Sequence, residues 1–443
     1  MSTLPKKWVL APIGSLCILR NGRAFKPSEW AKEGLPIVRI QNLNNTSAQF
    51  NYYNGAADDR HRLYGGELLF AWSGTPGTSF GAHVWRGGAA LLNQHIFRVD
   101  FNESFIDRRF FRYGINQKLT ELIAVAHGAA GLQHVTKGVF EATNIVLPPR
   151  AEQVRIASKL DAVLNRVDSV NARLIGITFL LKRFRQSVLA AATSGRLTEG
   201  WRKEKKIDDC WISIALAEAA SDFSYGSSEK SSKIGKTPVL RMGNIQDGRL
   251  DWIDLVYTSN EFEISKYSLQ KGDVLFNRTN SPELVGKSAV YKGEREAVYA
   301  GYLIRIRCSD RLLPDFLNFS INGPLGREYC RTVKSDGVSQ SNINAKKIAA
   351  FRFNLPSVAE QIEIVTRVEI LLAFADRLEA RLQTAQASAA RLTPSLLAKA
   401  FRGELVPQDP DDEPAAELLK RLAEARPASK VAKKERGPAS TMV

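Results

Sequence analysis

Two related stretches decide the fold, Leu147–Asp161 (LPPRAEQVRIASKLD) and Leu355–Glu369 (LPSVAEQIEIVTRVE). Each contains Leu-Pro followed by Ala-Glu-Gln, and the two copies lie 208 residues apart. The same offset aligns Gly195-Arg196-Leu197 with Gly403-Glu404-Leu405. Self-similarity at a fixed spacing indicates a repeated structural unit. We therefore expect this chain of 443 residues to contain two copies of one unit.

Both stretches begin a heptad of apolar residues with steps of four and three. This spacing predicts two long helices that pair in a left-handed coiled coil, although an amphipathic helix on a globular core shows a similar stripe. Ten consecutive positions in both copies favour the coiled coil. The predicted seam is Ile156, Leu160, Val163, Val167, Val170, Leu174, Ile177, Leu181, Phe184 and Val188 in the first helix, with Ile364, Val368, Leu371, Ala375, Leu378, Leu382, Ala385, Ala389, Leu392 and Leu396 in the second.

The ends of both helices carry signals as well. Ser357 and Glu360 have the spacing of a capping box, and Pro149 replaces the serine in the first copy. Gly195 and Gly403 are suited to end the helices in a left-handed conformation. Pro394 is expected to kink or break the second helix near its end.

The regions before the helices match more loosely. Pro36–Asn42 aligns with Pro238–Asn244, and Gly66–Phe70 aligns with Gly272–Phe276, at slightly different offsets. Short β-branched or alternating runs between Gly, Asn and Asp predict strands. We expect an α/β (α+β) fold with two mixed, mainly β-core domains. The predicted division is a first domain at 1–148, a helix at 149–200, a second domain at 201–355, a helix at 356–408, and a tail at 409–443 with a short helix and a disordered basic end.

Composition narrows the class of partner. The formal net charge is +16, with 62 Lys and Arg against 46 Asp and Glu. Excess cations favour a polyanionic partner such as nucleic acid, although a solvated basic surface is the alternative. No apolar run reaches the roughly 20 residues that span a bilayer, and no signal peptide is recognised, so a cytoplasmic location is expected.

Catalytic and metal chemistry are not indicated. The four cysteines form no CxxC pair, and the histidines have no ligand-like spacing, so no metal site is expected. The segment Asn144–Pro149 lacks the spacing and the aromatic residue of an amino-methyltransferase motif. Gly235-Lys236-Thr237 lacks the first glycine of a P-loop. We assign no catalytic residue.

The Glu-Gln stretches resemble the specificity subunits of type I restriction–modification systems. So do LLAKAFRGELVPQDPDDEPAAELLKRL at 396–422 and its degenerate copy VLAAATSGRLTEGW at 188–201. The likeness covers almost the whole chain. It implies two target recognition domains, each reading one half of a split site in double-stranded DNA, with the helices setting the spacer. It also implies two modification subunits, restriction subunits, and S-adenosylmethionine, ATP and Mg held by those partners rather than by this chain.

If both domains read one duplex, the helices should pair antiparallel. Direct repeats present like surfaces to DNA when a pseudo-two-fold axis relates them, as in dimeric repressors. Seam partners should then have residue numbers that sum to 552, which places Ile156 near Leu396 and Val163 near Ala389.

Loops on a rigid sheet are the expected reading sites, since short polar side chains and cations reach base edges. The loops after Phe70 and Phe276 are equivalent in the two copies, although such segments can be simple turns. Arg278 is expected to read guanine. The candidate DNA contacts are Ser73, Thr75, Thr78, Asn93, Gln94, His95, Gln133, His134 and Lys137 in the first domain, with Asn277, Arg278, Thr279, Asn280, Ser281, Lys287, Ser339, Gln340 and Asn342 in the second.

Two rival interpretations stay open on sequence alone. One is a structural adaptor whose coiled coil displays two domains that bind other ligands. The other is a specificity module separated from a fused methyltransferase–endonuclease. The net charge and the motifs above favour the DNA-reading subunit.

Overall fold

The computed structural model describes residues 4–45, 47–74, 80–126, 133–207, 211–338 and 340–425, without the side chain of Gln133. The chain divides into two units, one formed by 1–172 with 387–443 and the other by 173–386. The basic end predicted to be disordered, 426–443, lies outside the described residues. Among those described, no helix combines the length and the apolarity needed to cross a bilayer.

The first unit contains a domain built around two four-stranded sheets, ordered β2-β10-β6-β8 and β4-β3-β9-β5. Strand β1 pairs antiparallel with β12, which closes the domain on itself. The elements are β1 (Val9–Pro12), α1 (Ile13–Leu16), β2 (Ile18–Asn21), β3 (Leu35–Val38), α2 (Ile40–Asn44), β4 (Asn51–Tyr53), β5 (Arg62–Leu63), β6 (Leu68–Ala71), β7 (Ser73–Gly74), β8 (Gly81–Val84), β9 (Ala90–Leu92), β10 (Ile96–Asp100), α3 (Arg108–Gln117), α4 (Leu119–Ala124), β11 (Gln133–His134), α5 (Lys137–Ala142) and β12 (Asn144–Leu147).

The second unit contains a domain with the same plan. Its four-stranded sheet has the order β14-β23-β19-β21, and β13 pairs with β26 to close it. Two helices, α6 (Arg150–Thr193) and α7 (Glu199–Lys205), precede it. Its elements are β13 (Ile212–Ala215), β14 (Ala220–Tyr225), β15 (Thr237–Leu240), β16 (Ile245–Gln246), β17 (Arg249–Leu250), β18 (Val256–Thr258), α8 (Glu261–Tyr267), β19 (Val274–Asn277), β20 (Thr279–Asn280), β21 (Ser288–Val290), β22 (Val298–Tyr299), β23 (Leu303–Cys308), α9 (Pro314–Asn322), α10 (Pro324–Val333), β24 (Ser335–Asp336), β25 (Ser341–Asn342), α11 (Ala345–Ala349) and β26 (Arg352–Leu355).

The long helices are α6 and α12 (Val358–Ala400), and they pair antiparallel as predicted. In the first unit, Ile156 and Leu160 from the start of α6 share a core cluster with Leu396 and Ala400 from the end of α12. In the second unit, Val188 near the end of α6 shares a cluster with Ile364 near the start of α12. Both pairings bring opposite helix ends together.

Two expectations about these helices are corrected. Val170, Ile177 and Leu392 were predicted in the seam, yet they are 45%, 40% and 46% exposed. In a pair of helices, each seam residue is covered only by the opposite helix. A seam residue that does not also pack against a domain can therefore remain exposed to solvent. Helix α12 continues through Pro394 to Ala400 and is not broken there. Packing of Leu397, Ala400 and Phe401 against the first domain stabilises the turns after the proline.

The helix caps follow the predictions in part. Gly195 and Gly403 have φ of 79° and 77°, the left-handed conformation that glycine adopts without strain. Ser357 accepts a hydrogen bond from the backbone N–H of Glu360 at 3.3 Å, which is half of a capping box. The Glu360 carboxylate does not complete the box, because it binds elsewhere in the second unit.

The repeated Glu-Gln pair fastens each domain to the helix that follows it. In the first unit, the Trp8 indole donates to the Glu152 carboxylate at 2.8 Å, and Gln408 donates to its other oxygen. The Gln153 amide oxygen accepts from the backbone N–H of Asp107, the N-cap residue of helix α3, at 2.9 Å. Glu152 and Gln153 are both fully buried, at 1% and 0% exposure.

The second unit repeats this arrangement with one added charge. The Trp211 indole donates to Glu360 at 3.0 Å, and Gln361 accepts from the backbone N–H of Leu313 at 2.7 Å, before helix α9. The Arg202 guanidinium forms a buried ion pair with Glu360. In the first unit the corresponding carboxylate meets the neutral amide of Gln408 instead.

The segment after α12 belongs structurally to the first domain. Helix α13 (Ala415–Glu424) places Ala415, Leu418 and Leu422 in the same core cluster as Ile13 and Leu16. The Lys7 ammonium donates to backbone carbonyls of 409–412, and Arg155 pairs with Asp412. The short helix expected in the tail is therefore α13, and its apolar face packs into the core of the first domain.

The two buried glutamates should respond differently to the same substitution. Glu360→Gln should lower the free energy of unfolding by about 3 kcal/mol, because Arg202 would keep a buried charge without its carboxylate. Glu152→Gln should change it by less than about 1 kcal/mol, because the new amide oxygen still accepts from Trp8 and the new NH2 group can donate to the Gln408 amide once that amide has turned over. Urea unfolding followed by circular dichroism would measure both. Equal losses would contradict the assignment.

The pH dependence provides a second measurement. Burial raises the pKa of Glu152 above its usual 4.5. The hydrogen bonds from Trp8 and Gln408 lower this pKa, but burial has the larger effect. An ionised carboxylate with a raised pKa opposes folding above that pKa, and this cost disappears as the pH falls to the ordinary value. The stability of Glu152→Gln relative to wild type should therefore be higher at pH 7 than near pH 4.5.

Candidate nucleic-acid interface

In the first domain, two predicted loops meet in a short two-stranded arm. Strand β7 pairs antiparallel with β11, so that Ser73 lies opposite His134. The Ser73 hydroxyl and the His134 Nδ1 atom are 2.8 Å apart, within hydrogen-bonding distance. The backbone N–H of Val135 also donates to the carbonyl of Trp72 at 2.9 Å. We call this pair of strands the first arm.

Aromatic packing fixes the first arm to the sheet. The Trp72 indole stacks on Phe97 with ring centres 5.5 Å apart, and it also contacts His95 at 5.4 Å and His134 at 5.8 Å. Burial, together with the nearby His134, lowers the pKa of His95. Three predicted regions, around Ser73, His95 and His134, are therefore brought together.

The second domain has an arm in the equivalent place. Strand β20 pairs antiparallel with β25, with Thr279 opposite Asn342. The Asn342 Nδ2 atom donates to the Thr279 hydroxyl at 2.8 Å, and the backbone N–H of Ile343 donates to the carbonyl of Arg278 at 2.8 Å. We call this pair the second arm. Strand β24 adds a third strand beside β25.

The Arg278 guanidinium packs against the second arm and the neighbouring strand β14. It lies over the Tyr225 ring at 4.7 Å and donates to the carbonyl of Gly301 at 3.2 Å and to the side-chain oxygen of Asn342 at 3.3 Å. Two of its donor nitrogens are thus engaged within the protein. The reading of guanine by Arg278 stays a prediction, and the geometry adds an internal role.

Other candidates lie at various places in the two domains. Gln94 is exposed beside His95, while Lys137 begins helix α5 next to Glu141. Lys287 is 3.3 Å from Gln246 of β16 and lines a separate cleft of 1290 Å³ with other cations, including Arg249 and Arg327. The side-chain oxygen of Asn93 accepts from the backbone N–H of His95. The backbone carbonyl of Ser281 accepts from the N–H groups of Leu284 and Val285, and Gln340 is exposed. Thr75, Thr78, Ser339 and the side chain of Gln133 lie outside the described residues.

Asn277 was predicted to contact DNA, but the structure buries it. Its side chain is 0% exposed, so it cannot reach a partner on the surface. It ends β19 with its side chain turned into the core, where neither amide atom has a protein hydrogen-bond partner. Its polar character suggested a loop residue, but strand pairing extends one residue further than the sequence indicates. The first domain has Ala71 at the equivalent strand end.

Sequence reasoning missed three residues of these clusters, Trp72, Tyr225 and Tyr302. Tyr225 and Tyr302 are 43% and 48% exposed, and the carbonyl of Tyr302 accepts from the backbone N–H of Arg278 at 3.0 Å. The repeat contained a signal that could have indicated Tyr225, because Asn21-Gly22 in the first copy matches Tyr225-Gly226 in the second. Both glycines lie so close to the neighbouring backbone that a Cβ atom would collide with it.

Among the described residues, no group of three or more His, Cys, Asp or Glu side chains could hold a metal ion. The first and second arms, with the residues that pack on them, provide hydrogen-bonding side chains and planar groups. Two such domains on antiparallel helices define a tandem recognition protein.

Comparison with known proteins identifies the family. The model of the type I restriction modification DNA specificity domain matches residues 5–178 and 216–385. The EcoBI specificity subunit of Escherichia coli is 32% identical, over 95% of this chain and 93% of that protein. The EcoKI specificity subunit of Escherichia coli strain K12 is 32% identical, over 96% and 97%. The chain therefore belongs to the type I restriction–modification specificity subunits.

Solved structures share the fold. One chain comes from a structural study of complex assembly and conformational transition in a type I restriction–modification system. It superposes with a TM-score of 0.72 at 19% identity, covering 91% of this chain and 99% of that one. The HsdS subunit from Thermoanaerobacter tengcongensis gives 0.53 at 19% identity, covering 91% and 98%. Recognition as this family, made from the Glu-Gln stretches, is confirmed.

Two asparagines three residues apart provide a matched test of the site. Asn280→Ala, on the partly exposed second arm, should reduce the selectivity of the assembled complex for one half of its DNA site by several-fold. Asn277→Ala should leave selectivity unchanged, because that side chain is buried. Methylation rates on the wild-type site and on single-base variants would measure both. A loss in Asn277→Ala equal to that in Asn280→Ala would contradict the assignment.

Proposed function

We propose that each recognition domain reads one half of a bipartite site in double-stranded DNA, and that the chain itself is non-catalytic. The observation that carries this proposal is the pair of equivalent arms, built on the same backbone frame with different side chains. Ser73 and His134 stand in the first arm where Thr279 and Asn342 stand in the second. Exposed residues around these equivalent frames differ, as Asn21 in the first domain and Tyr225 at the matching position of the second domain show. Equivalent frames with different exposed surroundings suit two readers of two different half-sites.

The charge of the chain supports DNA as the ligand. A net charge of +16 favours binding to phosphates, because each contact releases condensed counterions. Phosphate contacts orient a protein on the duplex without reading sequence, whereas side chains that reach base edges supply specificity. Exposed residues beside the second arm, such as Gln340 and Tyr225, are available for that second task.

The paired helices are proposed to set the gap between the half-sites. The seam from Ile156 to Val188 covers about 33 residues, or about 50 Å at 1.5 Å per residue. Half-sites one DNA turn apart are separated by about 34 Å. A non-specific spacer of several base pairs is the gap that helices of this length would set.

Catalysis is assigned to partner subunits. The relatives named above are specificity subunits of restriction enzymes. By that likeness, this chain would work with two modification subunits and with restriction subunits, in the cytoplasm. S-adenosylmethionine, ATP and Mg would be held by those partners.

The purified chain should therefore transfer no methyl group from S-adenosylmethionine to DNA. Assembled with its modification subunits, it should direct methylation of one split sequence. Radiolabelled methyl transfer, followed by sequencing that detects modified bases, would measure both. Methyl transfer by the highly purified single chain, or methylation without a fixed sequence by the complex, would contradict the proposal.

A further inference from the structure

The two arms share more than their strand pairing. Position 72 corresponds to 278, 73 to 279 and 134 to 342, as judged by the matching backbone bonds Val135 to Trp72 and Ile343 to Arg278. Val135 and Ile343 are both fully buried, which anchors each arm to its domain. The two domains thus place one hydroxyl and one nitrogen-bearing side chain at the same two points.

These two points are joined by a side-chain hydrogen bond in both domains. Ser73 and His134 are 2.8 Å apart, and Thr279 and Asn342 are also 2.8 Å apart. We call each bonded pair a clasp. Different side chains form a hydrogen bond of the same length at these two points, so the presence of the bond rather than either residue type is the shared feature.

The residue before each clasp packs on an aromatic surface. Trp72 stacks on Phe97 and contacts His134. Arg278 lies over Tyr225 and donates to Asn342. A planar group therefore packs against each clasp. It is the neutral Trp72 indole in the first domain and the charged Arg278 guanidinium in the second.

Ser73 and Asn342 are poorly placed to read bases themselves. Ser73 is only 5% exposed. In Asn342, Nδ2 donates to Thr279 while the oxygen accepts from Arg278, so both ends of the amide are engaged. Engaged and buried groups hold geometry more readily than they exchange partners, since leaving a buried polar atom unbonded is costly.

We propose that the two clasps, Ser73–His134 and Thr279–Asn342, are positioning elements that hold each arm in the conformation that reads its half-site. This proposal rests on the proposed function. It separates residues that orient the arms from the exposed residues that touch DNA. Loss of one clasp should impair one half-site only, because each clasp lies within its own unit.

The test uses the assembled complex with its modification subunits. Thr279→Val removes the hydroxyl while keeping the shape, and Thr279→Ser keeps the hydroxyl. Thr279→Val should reduce selectivity for the second half-site about fivefold to tenfold, the effect of one lost hydrogen bond. Thr279→Ser should stay within about twofold of wild type. Selectivity is the ratio of methylation rates on the wild-type site and on single-base variants of each half.

A transplant tests equivalence. His134→Ala should reduce selectivity for the first half-site alone, whereas Ser73→Thr combined with His134→Asn should restore it without changing the preferred bases. A new base preference in that double variant would assign these residues to direct contact and overturn the proposal. So would equal losses in Thr279→Val and Thr279→Ser, or losses at both half-sites together. Absence of any site selectivity in the wild-type complex would instead refute the proposed function.

Discussion

The buried Glu-Gln pair at the start of each long helix is the interaction on which the rest of the structure depends. Its glutamate binds a tryptophan that lies just before the domain's first strand, and its glutamine holds the backbone where a domain helix begins. Both side chains are buried, so their hydrogen bonds must be made for the domain and the helix to fold together. The orientation of each reading arm relative to its helix follows from this fastening.

The segment after each helix completes the domain at that helix end. Gly195 turns the chain so that Thr198 and Arg202 reach Glu360, and Gly403 turns it so that Gln408 reaches Glu152. Each domain is thus held by the start of one long helix and by the segment that follows the other. Antiparallel pairing is required for this exchange, because it brings opposite helix ends together.

Periodic and punctuating features were predictable from sequence, whereas side-chain partners were not. The heptads predicted both helices, the requirement that two direct repeats face one duplex predicted their antiparallel pairing, and Gly195 and Gly403 predicted their ends. The partners of Glu152 lie 144 and 256 residues away, a separation that no local pattern encodes. Asn277 was misplaced because its polarity suggested a loop, while tertiary packing put it in a strand. The arms were located through the repeat, but Tyr225 was missed because its match in the first copy is Asn21.

The central claim is that the two domains read their half-sites independently through equivalent frames. Exchanging 212–355 for the second domain of a relative with a different target tests it most directly, because Trp211 and Glu360 stay in place. Sequencing of methylated DNA from cells that express the hybrid with its modification subunits would show the new site. The account predicts one changed half, one unchanged half and the same gap. A change in both halves would contradict it.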